Sequence, residues 1–268
     1  MRAMGDAAVL CIDVGNSGLK LALGREEGLG ELLSLPTRAT EPAEALGQRL
    51  VSALAALGAE PRDVAGVAAC SVVPAKDKPL AEACAHFFGR RALFAPESLP
   101  IPLATRYERP EELGADRLVA AYAARRLFSA ERLIVVDFGT ATTLDCVVKE
   151  EHLGGLICPG LSSSMQALAK GTAKLPHIDF RVESKSLGPA QSTIEGMNHG
   201  FVFGFAAMID GLCRGLEQGM GGPALVVAAG GLAEVVARVS QRIKEVREDL
   251  VLEGLRLAWL AHLNPAGK

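Results

Sequence analysis

The chain has 268 residues, of which 49% are hydrophobic and 22% charged, and its formal net charge is -3. These proportions exclude wholesale disorder, and the charge argues against a protein that binds nucleic acid through a large basic surface. No uninterrupted apolar stretch approaches the roughly 18 residues of a membrane span, so we expect a cytoplasmic protein of one or two domains, without a membrane partner.

Apolar runs and helical spacing alternate along the first half of the chain. The run Ala7–Ile12 is too short for a secretory signal, and it predicts a buried strand that ends at Asp13. Leu19–Leu23 predicts the return strand of a hairpin. Further predicted elements are helices within 40–58 and at Lys78–Phe88 and Arg117–Phe128, a strand at Val64–Val73, and a proline-rich loop at Ala95–Pro110.

The second half continues the alternation and therefore indicates α/β layers. Its predicted strands are Leu133–Val136, Leu144–Val148, Gly154–Pro159 and Leu225–Ala228. Its predicted helices are Leu161–Ala169, Ser192–Leu216, one from Leu232 and one near Leu252–Leu263, with a loop at 181–190.

An internal repeat links the two halves. The turns Asp13–Asn16 and Asp137–Thr140 share an Asp-x-Gly pattern, and each follows a buried strand and leads into a second one. Two matched strand–turn–strand units half a chain apart predict two similar lobes that face each other. We place the boundary near residue 130, which gives an N-terminal lobe of 1–130 and a C-terminal lobe of 131–268.

Both turns have the composition of a phosphate site. Glycine lets backbone N–H groups approach an anion, and the first turn adds Asn16, Ser17 and the positive charge of Lys20. Asp13, at the strand end, could hold a hydrated Mg²⁺. An ordinary hairpin or a Thr-rich strand would explain either turn taken singly, but the pair favours a polyphosphate bound by both.

The segment Leu113–Arg117 carries a second set of candidate groups. Asp116 either caps the following helix or acts as a general base for an attacking hydroxyl, and the two roles can coexist. Arg117 suits a carboxylate or a transferring phosphoryl group. Tyr107, just upstream, is a candidate substrate contact or a packing residue.

Other glycines, hydroxyls and thiols allow more than one interpretation. The glycines of Gly154–Gly160 suggest close backbone approach, and Ser162–Ser164 can cap the next helix. Ser192–Glu195 has the form of a capping box, and Ala229–Leu232 either lies against a nucleotide or forms a tight strand–helix connection. The six cysteines and five histidines lack metal-binding spacing, so we expect free buried thiols and no zinc site.

Together these motifs resemble those of the type III pantothenate kinases. The resemblance runs from about Asp13 to about Leu257, and that family belongs to the sugar kinase–actin-like ATPase superfamily. It implies an α/β fold of two duplicated, ribonuclease H-like lobes, each a mixed sheet flanked by helices, which agrees with the internal repeat. The segments that carry it are, in order, DVGNSGLK, SVVP, YERPEELGADR, DFGTATTLD, GGLICPG, TAKLP, AAGGLA and LEGLRL.

The resemblance implies the ATP-dependent phosphorylation of pantothenate to 4'-phosphopantothenate, the first step of coenzyme A biosynthesis. It implies that Asp116 accepts the proton of the pantothenate hydroxyl and that Asp137 binds a monovalent cation, K⁺ or NH₄⁺. It also implies a homodimer whose substrate site is completed across the interface. The implied ATP contacts are Asp13, Val14, Gly15, Asn16, Ser17, Gly18, Leu19, Lys20 and Thr140. The implied pantothenate contacts are Tyr107, Gly114, Ala115, Asp116, Arg117 and Thr193.

Two departures from the family pattern stand out. Ser17 occupies a position where the family usually has Thr, which keeps the hydroxyl. Before Thr193, the segment Ala190–Ser192 replaces a Gly-Lys-Asn sequence, although Met197 and Gly200 keep the family spacing. The loop that leads to Thr193 therefore lacks a Lys and a Gly.

Two other classes of function compete with an active pantothenate kinase. One is a regulatory or binding protein that keeps the nucleotide fold, and the other is a different small-molecule kinase of the same superfamily. Retention of Asp13, Asp116, Arg117 and Asp137 favours an active enzyme. The cysteine-rich zinc motif of the repressor/kinase sugar kinases is missing from the sequence.

Overall fold

A computed structural model describes residues 8–38, 40–172, 174–182 and 184–264. Ala7, with which the predicted first strand begins, and Glu183, within the predicted loop 181–190, lie outside the described residues. The strands are Ala8–Val14 (β1), Gly18–Gly24 (β2), Leu33–Pro36 (β3), Val64–Ser71 (β4), Ala92–Ala95 (β5), Ala104–Thr105 (β6), Arg132–Phe138 (β7), Ala141–Val148 (β8), Glu151–Pro159 (β9), Leu225–Ala229 (β10) and Ile243–Val246 (β11). The helices are Ala43–Ala56 (α1), Pro74–Phe88 (α2), Ala115–Leu127 (α3), Leu161–Gly171 (α4), Thr193–Gly219 (α5), Ala233–Ala237 (α6) and Leu250–Leu263 (α7).

The chain forms two compact units. The first holds the described residues up to Leu103, together with Arg109–Ala123 and those from Asp249 onward; the second holds Ala104–Glu108 and Ala124–Glu248. Helix α7 therefore groups with the first unit, whereas the sequence placed it in the C-terminal lobe. The limits of the two repeats, near residue 130, stay a prediction.

The first unit is built on a five-stranded sheet in the order β3-β2-β1-β4-β5. Strand β1 is antiparallel to β2 and parallel to β4. It is a nearly continuous apolar run because both faces of the sheet are covered, as is usual where strands run parallel. Leu50 and Leu54 of α1 and Leu80 of α2 join this strand in one buried core.

The second unit repeats that topology in the order β11-β10-β7-β8-β9, with β6 added at the β9 edge. Strand β7 is antiparallel to β8 and parallel to β10, just as β1 is to β2 and β4. The predicted α/β fold with two duplicated, mixed sheets flanked by helices is therefore confirmed.

Four short strands, β3, β5, β6 and β11, were not predicted from the sequence. Each has two to four residues, too few for an alternating pattern to emerge, and their pairing is set by the neighbouring strand. Helix α2 begins at Pro74, four residues before the predicted start, because proline is well suited to the first helical turn.

All six cysteines are free thiols, and five of them are buried, as expected. Burial raises the pKa of Cys84 to about 12 and that of Cys146 to about 11. Across the described residues, we find no helix whose length and hydropathy would let it cross a membrane.

Candidate active site

The first turn closes on its own backbone. The Gly15 N–H donates to the Gly18 carbonyl at 2.9 Å, and the Thr37 hydroxyl donates to the Gly15 carbonyl at 2.9 Å. A Cβ on Gly15 would lie 3.2 Å from the Gly18 carbonyl oxygen, so the turn is tight. Asn16 and Ser17 are exposed at its tip, which leaves the predicted polar groups accessible to an anion.

The strands that flank this turn place one acidic and one basic side chain opposite each other. Asp13 of β1 stands opposite Lys20 of β2, and directly opposed residues of an antiparallel pair lie on the same face of the sheet. Val14 and Leu19, also predicted as ATP contacts, are buried in the core. Their side chains are therefore committed to packing, and only their backbone groups are suited to a ligand.

Asp116 lies inside the first turn of α3, which begins one residue earlier, at Ala115. The expectation that Asp116 is the N-cap is therefore wrong. Its Oδ1 accepts the Arg117 backbone N–H at 2.8 Å, and a Cβ on Gly114 would lie only 2.6 Å from the same oxygen. Gly114 thus leaves room for the carboxylate, while Arg117 is buried, with 7% of its surface exposed.

The charges of several carboxylates of the first unit act on the buried thiol of Cys70. Burial is the main cause that raises the pKa of Cys70 well above its usual range, and the charges of Asp13, Asp116, Glu97 and Asp77 raise it further. Cys70 is the register partner of Asp13 across β1 and β4. Asp13 and Asp116, about a hundred residues apart in the sequence, therefore both contribute to the electrostatic environment of Cys70.

A glycine from another strand end lies close to the aspartate of the second turn. Asp137 of β7 stands opposite Thr143 of β8, not opposite a lysine. Gly230, with φ +87°, has no space for a side chain, because a Cβ there would lie 2.5 Å from Asp137 Oδ1 and 2.7 Å from the Phe138 carbonyl oxygen. Carboxylate and carbonyl oxygens are the donors that hard cations prefer, so this pair fits a cation site.

The close backbone approach predicted for Gly154–Gly160 involves Thr140. A Cβ on Gly160 would overlap the carbonyl of Thr140, so the two backbones touch. Ser163 donates its hydroxyl to the same carbonyl at 2.7 Å, and Thr140 is itself exposed. The prediction that Ser162–Ser164 cap α4 is wrong, because the helix follows Gly160 and has no side-chain cap.

Thr193 is the first residue of α5 and is exposed. The capping box takes a modified form: Ser192 Oγ accepts the Glu195 N–H at 3.2 Å, and Glu195 Oε2 accepts the Gln191 N–H at 2.8 Å. In the altered loop before Thr193, the Gln191 N–H is thus hydrogen-bonded to a side chain of the helix. A cavity of about 500 Å³ adjoins this helix start, lined in part by His177, Asp179, Arg181, Asn198 and His199.

Tyr107 lies on the second unit, beside residues that the sequence did not single out. Its ring stacks on that of His152 with centroids 6.0 Å apart, and His152 bonds to Thr105 and Asp145. The signal in the sequence was weak: a lone charged residue among apolar neighbours within β8, and one histidine at the start of β9. Only the pairing of β6 with β9 brings them to Tyr107.

The predicted site residues therefore fall into separate groups. Asp13, Lys20, Gly114, Ala115, Asp116 and Arg117 belong to the first unit, and Tyr107, Asp137, Thr140 and Thr193 belong to the second. Within the second unit, Asp137 and Thr140 share one turn, whereas Thr193 begins α5 and Tyr107 follows the edge strand β6.

Comparison with known proteins gives one family. The profile of the Type III pantothenate kinase family matches residues 9–215. The type III pantothenate kinase of Oleidesulfovibrio alaskensis is 49% identical over 252 residues, covering 94% of this chain and 96% of that protein.

Solved structures agree with the fold. The ROK hexokinase of Thermus thermophilus aligns with a TM-score of 0.52 at 15% identity, covering 96% of this chain and 99% of that one. A Campylobacter jejuni protein assigned to the Baf family of transcriptional activators aligns with a TM-score of 0.60 at 18% identity, covering 96% and 98%. At such identities the likeness shows the fold alone. The sequence match, in contrast, is close and nearly complete, and from it this chain belongs to the type III pantothenate kinase family.

Proposed function

We propose that the protein transfers the γ-phosphoryl group of ATP to the hydroxyl of pantothenate. The product is 4'-phosphopantothenate, and the reaction opens coenzyme A biosynthesis. Beside the family membership, the main support is the placement of Asp116, whose carboxylate accepts the Arg117 N–H and lies in the space that Gly114 leaves. Phosphoryl transfer needs positioning and charge stabilisation more than covalent help: a fixed carboxylate can position the attacking hydroxyl, and cations would neutralise the phosphate charge.

Asp116 is the proton acceptor for the pantothenate hydroxyl. One of its oxygens accepts the backbone N–H of Arg117, which holds the carboxylate at the start of α3. Gly114 provides the space in which that carboxylate lies. Arg117 binds the carboxylate of pantothenate or the transferring phosphoryl group, since a guanidinium can pair with either in two parallel hydrogen bonds.

ATP binds through its phosphates to the first turn, Asp13–Lys20, with Thr140 as a further contact. Backbone N–H groups and the exposed Asn16 and Ser17 suit the phosphate oxygens. Asp13 would hold Mg²⁺, which when bound neutralises charge on the phosphates. Asp137 would hold K⁺ or NH₄⁺, as its carboxylate beside the Phe138 carbonyl supports.

Pantothenate contacts Tyr107, Gly114, Ala115 and Thr193 besides the residues named above, and we infer a homodimer that completes this site. The exposed start of α5 supports an interface there, because Ile194 has 60% of its surface exposed and Gly196 and Gly200 are also exposed. A cytoplasmic location stays a prediction from composition.

A coupled ADP-release assay tests the proposal. Purified protein is given Mg-ATP with and without pantothenate, first in K⁺ buffer and then in Na⁺ buffer. Pantothenate-dependent ADP formation that requires K⁺ is expected. ATP binding without pantothenate-dependent turnover would contradict the proposal and favour a regulatory protein or a kinase with another substrate. Turnover that is equal in both buffers would contradict the cation role alone.

A further inference from the structure

The segment Ala104–Glu108 belongs to the second unit, although the residues on either side of it belong to the first. Its backbone is held by β6, a strand of only two residues that pairs with Glu151 and His152 of β9. The Arg106 N–H also donates to the His152 carbonyl at 2.9 Å. Because so few backbone hydrogen bonds hold this segment, its position depends mainly on side-chain contacts.

A chain of buried, hydrogen-bonded side chains connects β8 and β9 to the segment Ala104–Glu108. His152 is fully buried and Asp145 is 2% exposed, and His152 Nε2 lies 2.8 Å from Asp145 Oδ1. On its other side, His152 Nδ1 lies 3.1 Å from Thr105 Oγ1, and the Tyr107 N–H donates to that same oxygen at 3.2 Å.

The chemistry of these groups gives the chain a direction. A carboxylate only accepts hydrogen bonds, so His152 donates to Asp145 from Nε2. The other ring nitrogen, Nδ1, is the partner of the Thr105 hydroxyl. That leaves a lone pair of Thr105 Oγ1 for the Tyr107 N–H. Every link has one donor and one acceptor, as a buried polar chain requires.

The ring of His152 also supports the ring of Tyr107. The two rings are stacked with an angle of 26° between their planes. Gly154, with φ +115°, lies near the edge of the tyrosine ring, since a Cβ there would be 4.0 Å from Tyr107 Cε2. Close to it, the pairing of β8 with β9 shifts register between Cys146 and Val147, an irregularity of the kind found beside functional sites.

We propose that Thr105, His152 and Asp145 are positioning residues that fix the backbone and ring of Tyr107 for binding pantothenate. This inference rests on the proposed function, which places Tyr107 at the substrate. Thr105 is the member best suited to a test, because valine has nearly its shape without the hydroxyl, whereas serine keeps the hydroxyl without the methyl group.

The test compares Thr105→Val, Thr105→Ser and a neighbouring control, Arg106→Gln. The control removes the exposed ion pair of Arg106 with Glu151 and leaves the chain from Asp145 to Tyr107 intact. For Thr105→Val we expect the KM for pantothenate to rise about tenfold, while kcat and the KM for ATP stay within about twofold. Thr105→Ser and Arg106→Gln should both remain within about twofold of the parent protein.

Hydrogen exchange read by mass spectrometry gives a second readout that needs no substrate. Thr105→Val should speed exchange in peptides that cover 104–108, and Thr105→Ser should not. An unchanged KM and unchanged exchange in Thr105→Val would overturn the inference, as would equal losses toward both substrates with a general loss of protection. If the parent protein fails to phosphorylate pantothenate, the proposed function fails. The exchange comparison alone then decides whether the hydrogen-bonded chain from Asp145 to Thr105 fixes Tyr107.

Discussion

The two turns of the duplicated fold have the same topology and different surroundings. In the first, three residues connect β1 to β2, and the tip is exposed. In the second, only Gly139 and Thr140 connect β7 to β8; both are exposed as well, but Gly160 and Gly230 pack against the turn. The aspartate one residue before the end of the first strand faces a lysine in one copy and a threonine in the other.

This difference shows how one duplicated unit can acquire two kinds of chemistry. An open turn with a cation beside its aspartate is suited to polyphosphate, which is large and anionic. A turn where a carboxylate and a carbonyl oxygen both lie against one glycine, Gly230, is suited to a small cation. The two copies keep the same strand topology, whereas the residues that face the two aspartates differ.

The largest effect is expected at Asp116 of the first unit, the proposed proton acceptor. Asp116→Asn should lower kcat by about 100-fold or more, the scale of a lost general base, with little change in ATP binding. Steady-state kinetics and ATP titration measure the two quantities. Glu97→Gln is the matched control, because Glu97 is another carboxylate of the first unit whose charge raises the pKa of Cys70. An equal loss in that control would assign the effect to the electric field instead of a proton acceptor.

Next in size is the contrast in how tightly the two turns are packed. Gly160→Ala should lower the free energy of unfolding by about 2 kcal/mol, because its methyl group would overlap the Thr140 carbonyl. Gly15→Ala should cost less than about 1 kcal/mol, since its methyl group would meet the Gly18 oxygen at 3.2 Å. Urea unfolding of both variants measures the difference. Equal losses would show that the two turns are enclosed alike.

A smaller effect should separate the two aspartates. Asp137→Asn is expected to weaken the response to K⁺ about tenfold, because it removes the charged ligand of the proposed cation. Asp13→Asn should instead raise the KM for Mg-ATP and leave the K⁺ response unchanged. Activity measured as a function of K⁺ concentration at saturating ATP gives the comparison. A similar shift in both variants would mean that the turns do not divide these roles.

The smallest effect concerns the thiols. Cys158, in β9 beside the second turn, is only half-buried, and the other five are buried. Because burial raises the pKa of Cys84 and Cys213 to about 12, their thiolate fraction at pH 8 is minute. Iodoacetamide at pH 8 should therefore add one label per native chain, at Cys158, as intact mass would show. Rapid labelling of a second thiol would contradict this.

The same shifts give a sign for alkaline stability. A thiol whose pKa is raised in the folded state stays protonated there, whereas the same thiol in the unfolded chain loses its proton near pH 9. Cys84 and Cys213 therefore contribute stability that is fully present below pH 9 and is lost as the pH rises toward about 12.

Local patterns predicted the parts of the fold that local physics decides. Long buried strands such as β1 and β7 and the hairpin turns after them follow from apolar runs that end at Asp-x-Gly. The limits of α3 did not follow, because its first turn is set by Gly114, which accommodates the Asp116 carboxylate. Of the candidate site, the turns were visible in the sequence. The pairing of His152 with Asp145 and Thr105 was not, since it depends on a two-residue strand whose partner is about fifty residues away.

Helix α7 carries a consequence for how the molecule is made. Arg256, buried and paired with Glu253, donates to the backbone carbonyls of Arg25 and Glu26, and the Trp259 ring fills the space above Gly66. The first unit thus depends on a helix that leaves the ribosome after every residue of the second has been synthesised. During translation the second unit can therefore complete its fold before α7 is available to pack on the N-terminal sheet.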